Sequence, residues 1–365
     1  MAGLPGVSKE AIKEYQDKGD RLIARMNDVL GERAKKEQLT GVQPLEILFD
    51  NHKNHHKYLS YALELETEEG ITNMVKWVFD SYVSRGFKKR YFKIALNYWK
   101  RFIEEELSEH AAQEIIPYYD LMLDVVKEQD GTVDPSPVQL VYVNAPPYEQ
   151  VKKKLYHLLL DGEYKKCTAL TEECLKSSCE LKAFYFEVIR PVMVQIGLDW
   201  ENGVIAFYQE HLATSIIMRL MTDIYMKYHD QITRRKGKIA FLTPPEEQHQ
   251  LGLTMLMDLL EFDGWEVLDL KQKAATPDTI RQVVEFKPHI IALSVTMVYH
   301  LPKAEQVIQR FRDNEATKDV KILIGGYAAT VMGTSKGFID ADLWMDAQKD
   351  PIEFINEWWD QHEMG

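Results

Sequence analysis

Apolar residues recur at helical spacing through residues 71–79, 91–107 and 115–126, and no strand alternation interrupts them. Residues 1–130 are therefore expected to form an all-α N-terminal domain. Residues 131–147 carry Pro135, Pro137, Pro146 and Pro147, so backbone donors are missing at several places and no helix can run through. This stretch reads as a linker. Amphipathic periodicity returns over residues 148–228, with turn signals at Asp161-Gly162, around Ser177-Ser178 and between Gly197 and Gly203. That pattern suits a four-helix bundle occupying residues 148–235. From residue 236 the period changes. Short apolar runs at 238–242, 265–270, 290–294 and 321–324 alternate with helical patterns at 251–262, 277–286 and 302–314. Strands alternating with helices of ten or more residues call for a parallel sheet with right-handed crossovers, so residues 236–365 are expected to be a doubly wound α/β domain.

Composition narrows this picture. With 365 residues, 45% of them hydrophobic, the chain can bury two or three separate cores. A formal net charge of -13 would repel phosphate backbones, and no helix-turn-helix pattern is visible, so direct nucleic-acid binding is not expected. The first forty residues, with Arg33, Lys35 and Lys36, could form an exposed helix used for self-association or for a separate partner; the ordinary reading, and the one expected here, is a solvated helix. Cys167, Cys174 and Cys179 match neither a zinc knuckle nor a disulfide scaffold and read as reduced thiols. No apolar run approaches the roughly 20 residues that span a bilayer, and the start of the chain, with Pro5 and early charges, lacks a signal-peptide core. The expected location is cytoplasmic.

In doubly wound sheets, ligands bind beyond the carboxyl ends of the strands. Three loops there carry unusual residues: Glu247, His249 and Gly252 after the first strand, Ser294 and Thr296 after the third, Gly325, Gly326 and Tyr327 after the fourth. A histidine before a helix is ordinarily a surface residue, and a double glycine ordinarily marks a tight turn. Together they say more. A carboxylate two positions before a histidine can accept the Nδ1 proton, leaving Nε2 as a metal ligand of raised basicity. The small residues Ser294, Thr296, Gly325 and Gly326 would leave a slot for a flat group against bare backbone.

These features, ExHxxG, SxT and GG in this order, resemble the Rossmann-like (flavodoxin-like) cobalamin-binding domain of corrinoid methyl carriers, mutases and light-sensing regulators. The resemblance implies that His249 is the lower ligand of cobalt in place of the cofactor's own base, whose nucleotide tail enters the slot. The common form has Asp where this chain has Glu247, which keeps the acceptor, and many members have Leu where it has Thr296, which changes the lining.

Upstream, Trp200 is followed at Glu210-His211, a spacing similar to that of the CarH-type light-dependent regulators. The ordinary reading is a core tryptophan and a solvated pair. The resemblance implies instead a helical cap in which Trp200 and Glu210 face the adenosyl group of adenosylcobalamin, with His211 nearby. Members that trap a second histidine on cobalt place it directly after the Trp; here that position is Glu201.

The N-terminal block holds His52, His55 and His56 beside Arg85, Arg90 and many aromatic residues. An aromatic-rich core with a surface histidine cluster would account for them. The combination NHxxHH, WVFDSYxSRGF and YFxxALxxW ahead of such a cap also resembles the photocobilins, which implies noncovalent biliverdin with those five residues as pocket candidates. The expectation is a cytoplasmic adenosylcobalamin photoreceptor rather than an enzyme, signalling through a light-dependent homo-oligomer or a separate partner. A corrinoid methyl carrier of a methyltransferase system is the alternative, and a cobalamin storage or chaperone module is a third class.

Overall fold

The computed structural model describes residues 4, 6–65, 68–130, 141–271, 276–297, 300–331, 339–345 and 349–362. The chain forms two compact units, one of Met1–Val138 with Asp199–Val204, the other of Gln139–Leu198 with Ile205–Gly365.

The first unit is helical, as its periodicity requires: α1 (Lys9–Asp17), α2 (Gly19–Glu37), α3 (Leu45–Leu65), α4 (Glu68–Ser84), α5 (Arg90–Glu106) and α6 (Glu109–Asp130). The Ser8 hydroxyl caps α1 by accepting from the backbone N–H of Ala11, satisfying one of the donors a helix start leaves unpaired. Helices α1 and α2 are not the solvated element their charge suggested. Their apolar residues Ile12, Tyr15, Leu22, Met26 and Leu30 are buried. Charged residues of both signs are frequent there, but a stripe of one apolar residue every three or four positions is enough to bury one face.

The linker reading falls partly on residues 131–140, which lie outside those described; beyond them, in the second unit, a short helix, α7 (Val141–Asn144), precedes Pro146 and Pro147. Then come α8 (Glu149–Leu160), α9 (Tyr164–Cys174), α10 (Leu181–Ala183), a π-helical segment Phe184–Ile189, α11 (Arg190–Glu201) and α12 (Phe207–Tyr228). Helix α12 packs on α8 and α9, and α8 on the π-helical segment; Leu155, Leu159, Cys167, Tyr185, Ile217 and Leu220 of these elements are buried. Glu201 is the last residue of α11, yet the segment Asp199–Val204 packs with the first unit.

The α/β part follows the expected alternation: β1 (Lys238–Leu242), α13 (Leu251–Phe262), β2 (Glu266–Leu270), α14 (Pro277–Phe286), β3 (Ile290–Ser294), α15 (Leu301–Arg312), β4 (Lys321–Gly325), α16 (Tyr327–Val331), β5 (Leu343–Trp344) and α17 (Pro351–His362). All five strands are parallel in the order β2-β1-β3-β4-β5. Strands β1, β3 and β4 are buried almost throughout, as a sheet covered on both faces demands. The order reverses between β1 and β3, which opens a crevice at their carboxyl ends.

Candidate functional site

The loop after β1 and the loop after β3 flank that crevice. Two prolines, Pro244 and Pro245, end β1, and the backbone N–H of Glu247 donates to the Pro244 carbonyl at 3.2 Å, folding the loop back before α13 begins at Leu251. Glu247 is thereby turned inward and its side chain is fully buried. Its Oε1 accepts from His249 twice, from the backbone N–H at 3.0 Å and from Nδ1 at 2.6 Å. Its Oε2 accepts from the backbone N–H groups of Thr296 at 2.9 Å and Met297 at 3.1 Å, and from Nδ1 of His300 at 3.0 Å.

Burial alone would favour the neutral acid, but these donors overcome it and hold the Glu247 carboxyl well below the usual carboxylate range. The carboxylate in turn raises the proton affinity of His249, mainly through the hydrogen bond, and Glu210 on the first turn of α12 adds to the effect through its charge. Glu210 is thus close enough to the His249 ring to act on it. The His249 side chain remains 57% exposed, so with Nδ1 committed to Glu247 its Nε2 carries the lone pair that an axial metal position needs.

The double glycine has a structural explanation beyond lining a slot. Gly326 has φ +92°, and a Cβ there would stand 2.4 Å from the Val295 carbonyl oxygen. The backbone N–H of Val295 donates to Gly325 and that of Ala328 to Val295. The bare turn after β4 therefore presses the loop after β3 into place, which aims the Thr296 and Met297 N–H groups at Glu247. Ser294 lies opposite Gly325 in the sheet register. Gly252 has open space where a side chain would be, and Tyr327 is exposed. The amide nitrogen of Gln250, next to His249, is buried without a hydrogen-bond partner among the described residues. An exposed axial imidazole, open space at Gly252 and an orphaned donor beside it fit a large polar macrocycle.

On α12, Glu210 accepts from the Thr214 hydroxyl at 3.0 Å and pairs with Nδ1 of His211, whose ring lies 3.9 Å from that of Phe207. Trp200 is placed differently, in the segment that belongs to the N-terminal unit. There the Arg85 guanidinium lies over its ring, Trp77 Nε1 donates to Glu201 Oε1 at 3.1 Å, and the Ser84 hydroxyl donates to the Glu201 carbonyl at 2.6 Å.

Of the five bilin candidates, the three histidines come together. His52 Nδ1 donates to Asn27 at 2.7 Å, and its Nε2 lies 3.3 Å from the Tyr91 hydroxyl, which itself donates to Asn51 at 3.0 Å. His55 meets the Tyr119 hydroxyl at 3.1 Å, Tyr119 meets Tyr15 at 2.9 Å, and His56 Nε2 donates to the Tyr15 carbonyl at 3.1 Å. His55 and His56 also lie against Trp99. Arg85 and Arg90 are engaged elsewhere, Arg85 at Trp200 and Arg90 at the carbonyl and carboxylate of Glu37.

His300 was missed in the sequence. Its only signal there is a histidine just before a helix, four residues after Thr296, and nothing in that spacing points back to Glu247.

Comparison with known proteins agrees with the cofactor class. The B12 binding domain family matches residues 237–347, and a second B12 binding domain family matches residues 151–224. The chain is a cobalamin-binding protein. Among curated relatives it is 29% identical over 159 residues to the HTH-type transcriptional repressor CarH of Myxococcus xanthus, covering 43% of this chain and 51% of that protein. The match thus spans about half of CarH. It is 20% identical over 207 residues to trimethylamine corrinoid protein 2 of Methanosarcina mazei, covering 56% of this chain and 94% of that one. Among solved structures, the Methanosarcina barkeri monomethylamine corrinoid protein aligns with 58% of this chain and all of its own at a TM-score of 0.48 and 16% identity.

Proposed function

We propose that this protein is a light sensor that holds adenosylcobalamin with His249 as the lower ligand of cobalt, and that it signals rather than catalyses. The observation that carries the reading is the pairing of two elements at the crevice: an imidazole fixed from below by Glu247, and Glu210 of α12 near enough to raise that imidazole's basicity. When bound, adenosylcobalamin supplies a cobalt–carbon bond that light can break. The chain's own residues do the rest. Glu247 orients His249, Ser294, Thr296, Gly325 and Gly326 line the crevice, and Glu210, with His211 beside it, offers a polar edge on the helical side. In this reading α8, α9, α11 and α12 form the cap, as in the CarH-type regulators. Loss of a group held by the cap alters the surface it buries, so the output is a change in self-association or in binding of a separate cytoplasmic partner.

The test is direct. Protein loaded with adenosylcobalamin in the dark and then illuminated should change both its visible spectrum and its oligomeric mass, and a sample unchanged in both would sink the light-sensor reading. The match to a trimethylamine corrinoid protein favours a second reading, a methyl carrier serving methyltransferases. The alkyl-cobalamin that copurifies separates the two: adenosyl for the sensor, methyl for the carrier.

For the N-terminal unit we propose biliverdin as the ligand, held without a cysteine link among His52, His55 and His56. Each histidine already has a protein partner, so a bilin would have to displace Tyr91, Tyr119 or Trp99. Expression with and without biliverdin decides it. A red-absorbing band supports the bilin, and its absence leaves these histidines as a core network.

A further inference from the structure

We propose that the buried pair of Tyr185 and Asp258 is a proton-operated latch between the helical part of the second unit and its α/β part, closed while Asp258 is protonated and loosened when it ionises. The inference needs only the fold of this unit and no assignment of the group on cobalt. Tyr185 is fully buried in the π-helical segment, and its hydroxyl donates at 2.9 Å to Oδ2 of Asp258, which is buried on α13. A π-helical turn holds more residues than an α-helical one. Phe184, Tyr185, Val188 and Ile189 are all buried in this one, so the segment packs on α8 and still reaches α13.

Other fasteners of the same joint lie nearer water. Tyr225 of α12 faces Glu261 and stands edge-on to Phe262, their ring centres 6.1 Å apart, and Lys182 of α10 pairs with Asp350 at 2.8 Å, just ahead of α17. Both contacts are partly exposed, whereas the latch is buried. Its position also ties it to the crevice, because Asp258 lies about two turns into the helix that follows His249. Helix α12 runs alongside, with Tyr225 at the joint and Glu210, in its first turn, acting on the His249 ring. An opening at the latch therefore frees the helical part to move, and Glu210 with it.

The charges around Asp258 explain why a proton decides. On its own helix stands Glu261, and from the end of β2 come Asp269 and Lys271. Lys271 is already committed to Asp269 at 3.0 Å and to the Thr254 hydroxyl at 2.9 Å. The π-helical segment and α12 bring Tyr185 and Tyr225, whose hydroxyls burial holds above their usual range, and Arg234, beyond α12, acts on Tyr225. Helix α17 brings Asn356 to Asp263, past the end of α13, at 2.8 Å, and Lys236 pairs with the same carboxylate at 2.6 Å. Among the described residues no ion pair reaches Asp258. Ionised, it is a buried carboxylate between two others with one hydroxyl to satisfy it, so water is the better environment; protonated, it is at home. Burial, with the charges of Glu261 and Asp269, accordingly lifts its pKa from 3.8 to about 7. Once the joint opens, the carboxyl returns toward 3.8, so each opening between those values releases a proton. Opening is rarest at the acid end, grows as pH rises to about 7 and levels off above it.

The experiment follows amide exchange by mass spectrometry in the full-length protein, corrected for the intrinsic rate at each pH. Peptides of the π-helical segment and the second half of α13 read the joint, and those of β3 and β4 read unfolding of the sheet. Opening at the joint should grow about thirtyfold between pH 5 and pH 7 and only about twofold more by pH 8. Low urea separates the latch from unfolding, because the effect of denaturant scales with the surface exposed. The joint should respond to pH and hardly to urea, while β3 and β4 respond to urea steeply. Asp258→Asn should hold the joint within about threefold across the same pH range, since nothing there titrates. Glu261→Gln removes a like charge without touching the latch and should move the plateau to lower pH. A joint that does not open further with pH, or that tracks β3 and β4 in urea, overturns the proposal. So does an Asp258→Asn variant with the wild-type rise; if that variant does not fold, a Glu261→Gln curve identical to the wild type does the same.

Discussion

The guanidinium of Arg85 lies over the indole of Trp200, 3.9 Å from its ring centre. The stack belongs to a small knot in which the segment Asp199–Val204 packs with the end of α4. Gly203, at φ +69°, closes it, since a Cβ there would stand 2.8 Å from the Ser84 carbonyl oxygen. Arg85 is half-buried, and desolvation lowers its pKa; a guanidinium in a protein stays protonated, so its charge is available to the ring face. A partly desolvated cation–π contact is worth about 1 kcal/mol. Arg85→Ala should therefore destabilise the N-terminal unit by about that much and increase the exposure of Trp200. The fluorescence difference between Arg85→Ala and Arg85→Ala/Trp200→Phe isolates that indole. It should be shifted to longer wavelength than the corresponding difference between the wild type and Trp200→Phe.

Glu247→Gln tests the carboxylate itself. The amide keeps the size but turns one acceptor into a donor facing N–H groups, leaving buried donors unpaired at a cost of about 2–4 kcal/mol. The sign with pH follows from the lowered carboxyl pKa in the folded state. Stability from this group is whole above its ordinary value of 4.5 and is lost as pH falls below it. The wild type should show that acid loss in the peptides of the β1–α13 loop by hydrogen exchange, and Glu247→Gln should show weak protection there already at pH 7.

The contrast between Glu247 and His300 shows what the sequence could disclose. His249 and Glu247 are two positions apart, so their hydrogen bond is a local matter and visible in the motif. Likewise β1, β3 and β4 announce themselves because strands buried on both faces must be continuously apolar. The partnership of Glu247 with His300 needs β1 and β3 to be neighbours, and the strand order depends on how crossovers pack rather than on any one segment. Strand β5 is two residues long, too short for a period to show. The Trp200-to-Glu210 spacing was equally plain in the sequence, whereas the packing of Trp200 under Arg85 depends on tertiary contacts across 115 positions. The charged first helices misled for a different reason, because average charge hides a narrow apolar stripe.

The histidine network makes the N-terminal unit sensitive to acid. Burial pushes His52 and His55 down to about 3 from an ordinary 6.5. Between those values the unfolded chain binds protons that the folded unit refuses. Their contribution is complete above pH 6.5 and is lost as pH falls through that interval, at up to about 1.4 kcal/mol per unit for each ring. Hydrogen exchange in α3 and α5 should accelerate below pH 6.5. His55→Gln, which does not titrate, should flatten the slope, and a slope unchanged in that variant would remove His55 from the account.

The second unit should respond in the opposite sense through Asp258. This carboxyl lies on α13, 9% exposed, and accepts from the Tyr185 hydroxyl of the π-helical segment at 2.9 Å. Burial raises its pKa to about 7 from 3.8; the charges of Glu261 and Asp269 add to the rise, while Tyr185 and Lys271 oppose it. Between pH 3.8 and about 7 the folded form therefore holds a proton that the unfolded chain has released. Stability from Asp258 is greatest at the acid end, falls as pH rises through that range and is flat above it, with a slope of about 1 kcal/mol per unit. Asp258→Asn should abolish the slope and leave the unit more stable than wild type at pH 8. Tyr185→Phe should cost more at pH 8 than at pH 5, because a charged acceptor loses about 1.5–3 kcal/mol with its donor and a neutral one about half that. Exchange protection of α13 across this pH range reads both variants. Equal losses in Tyr185→Phe at the two pH values would mean that Asp258 does not change charge between them.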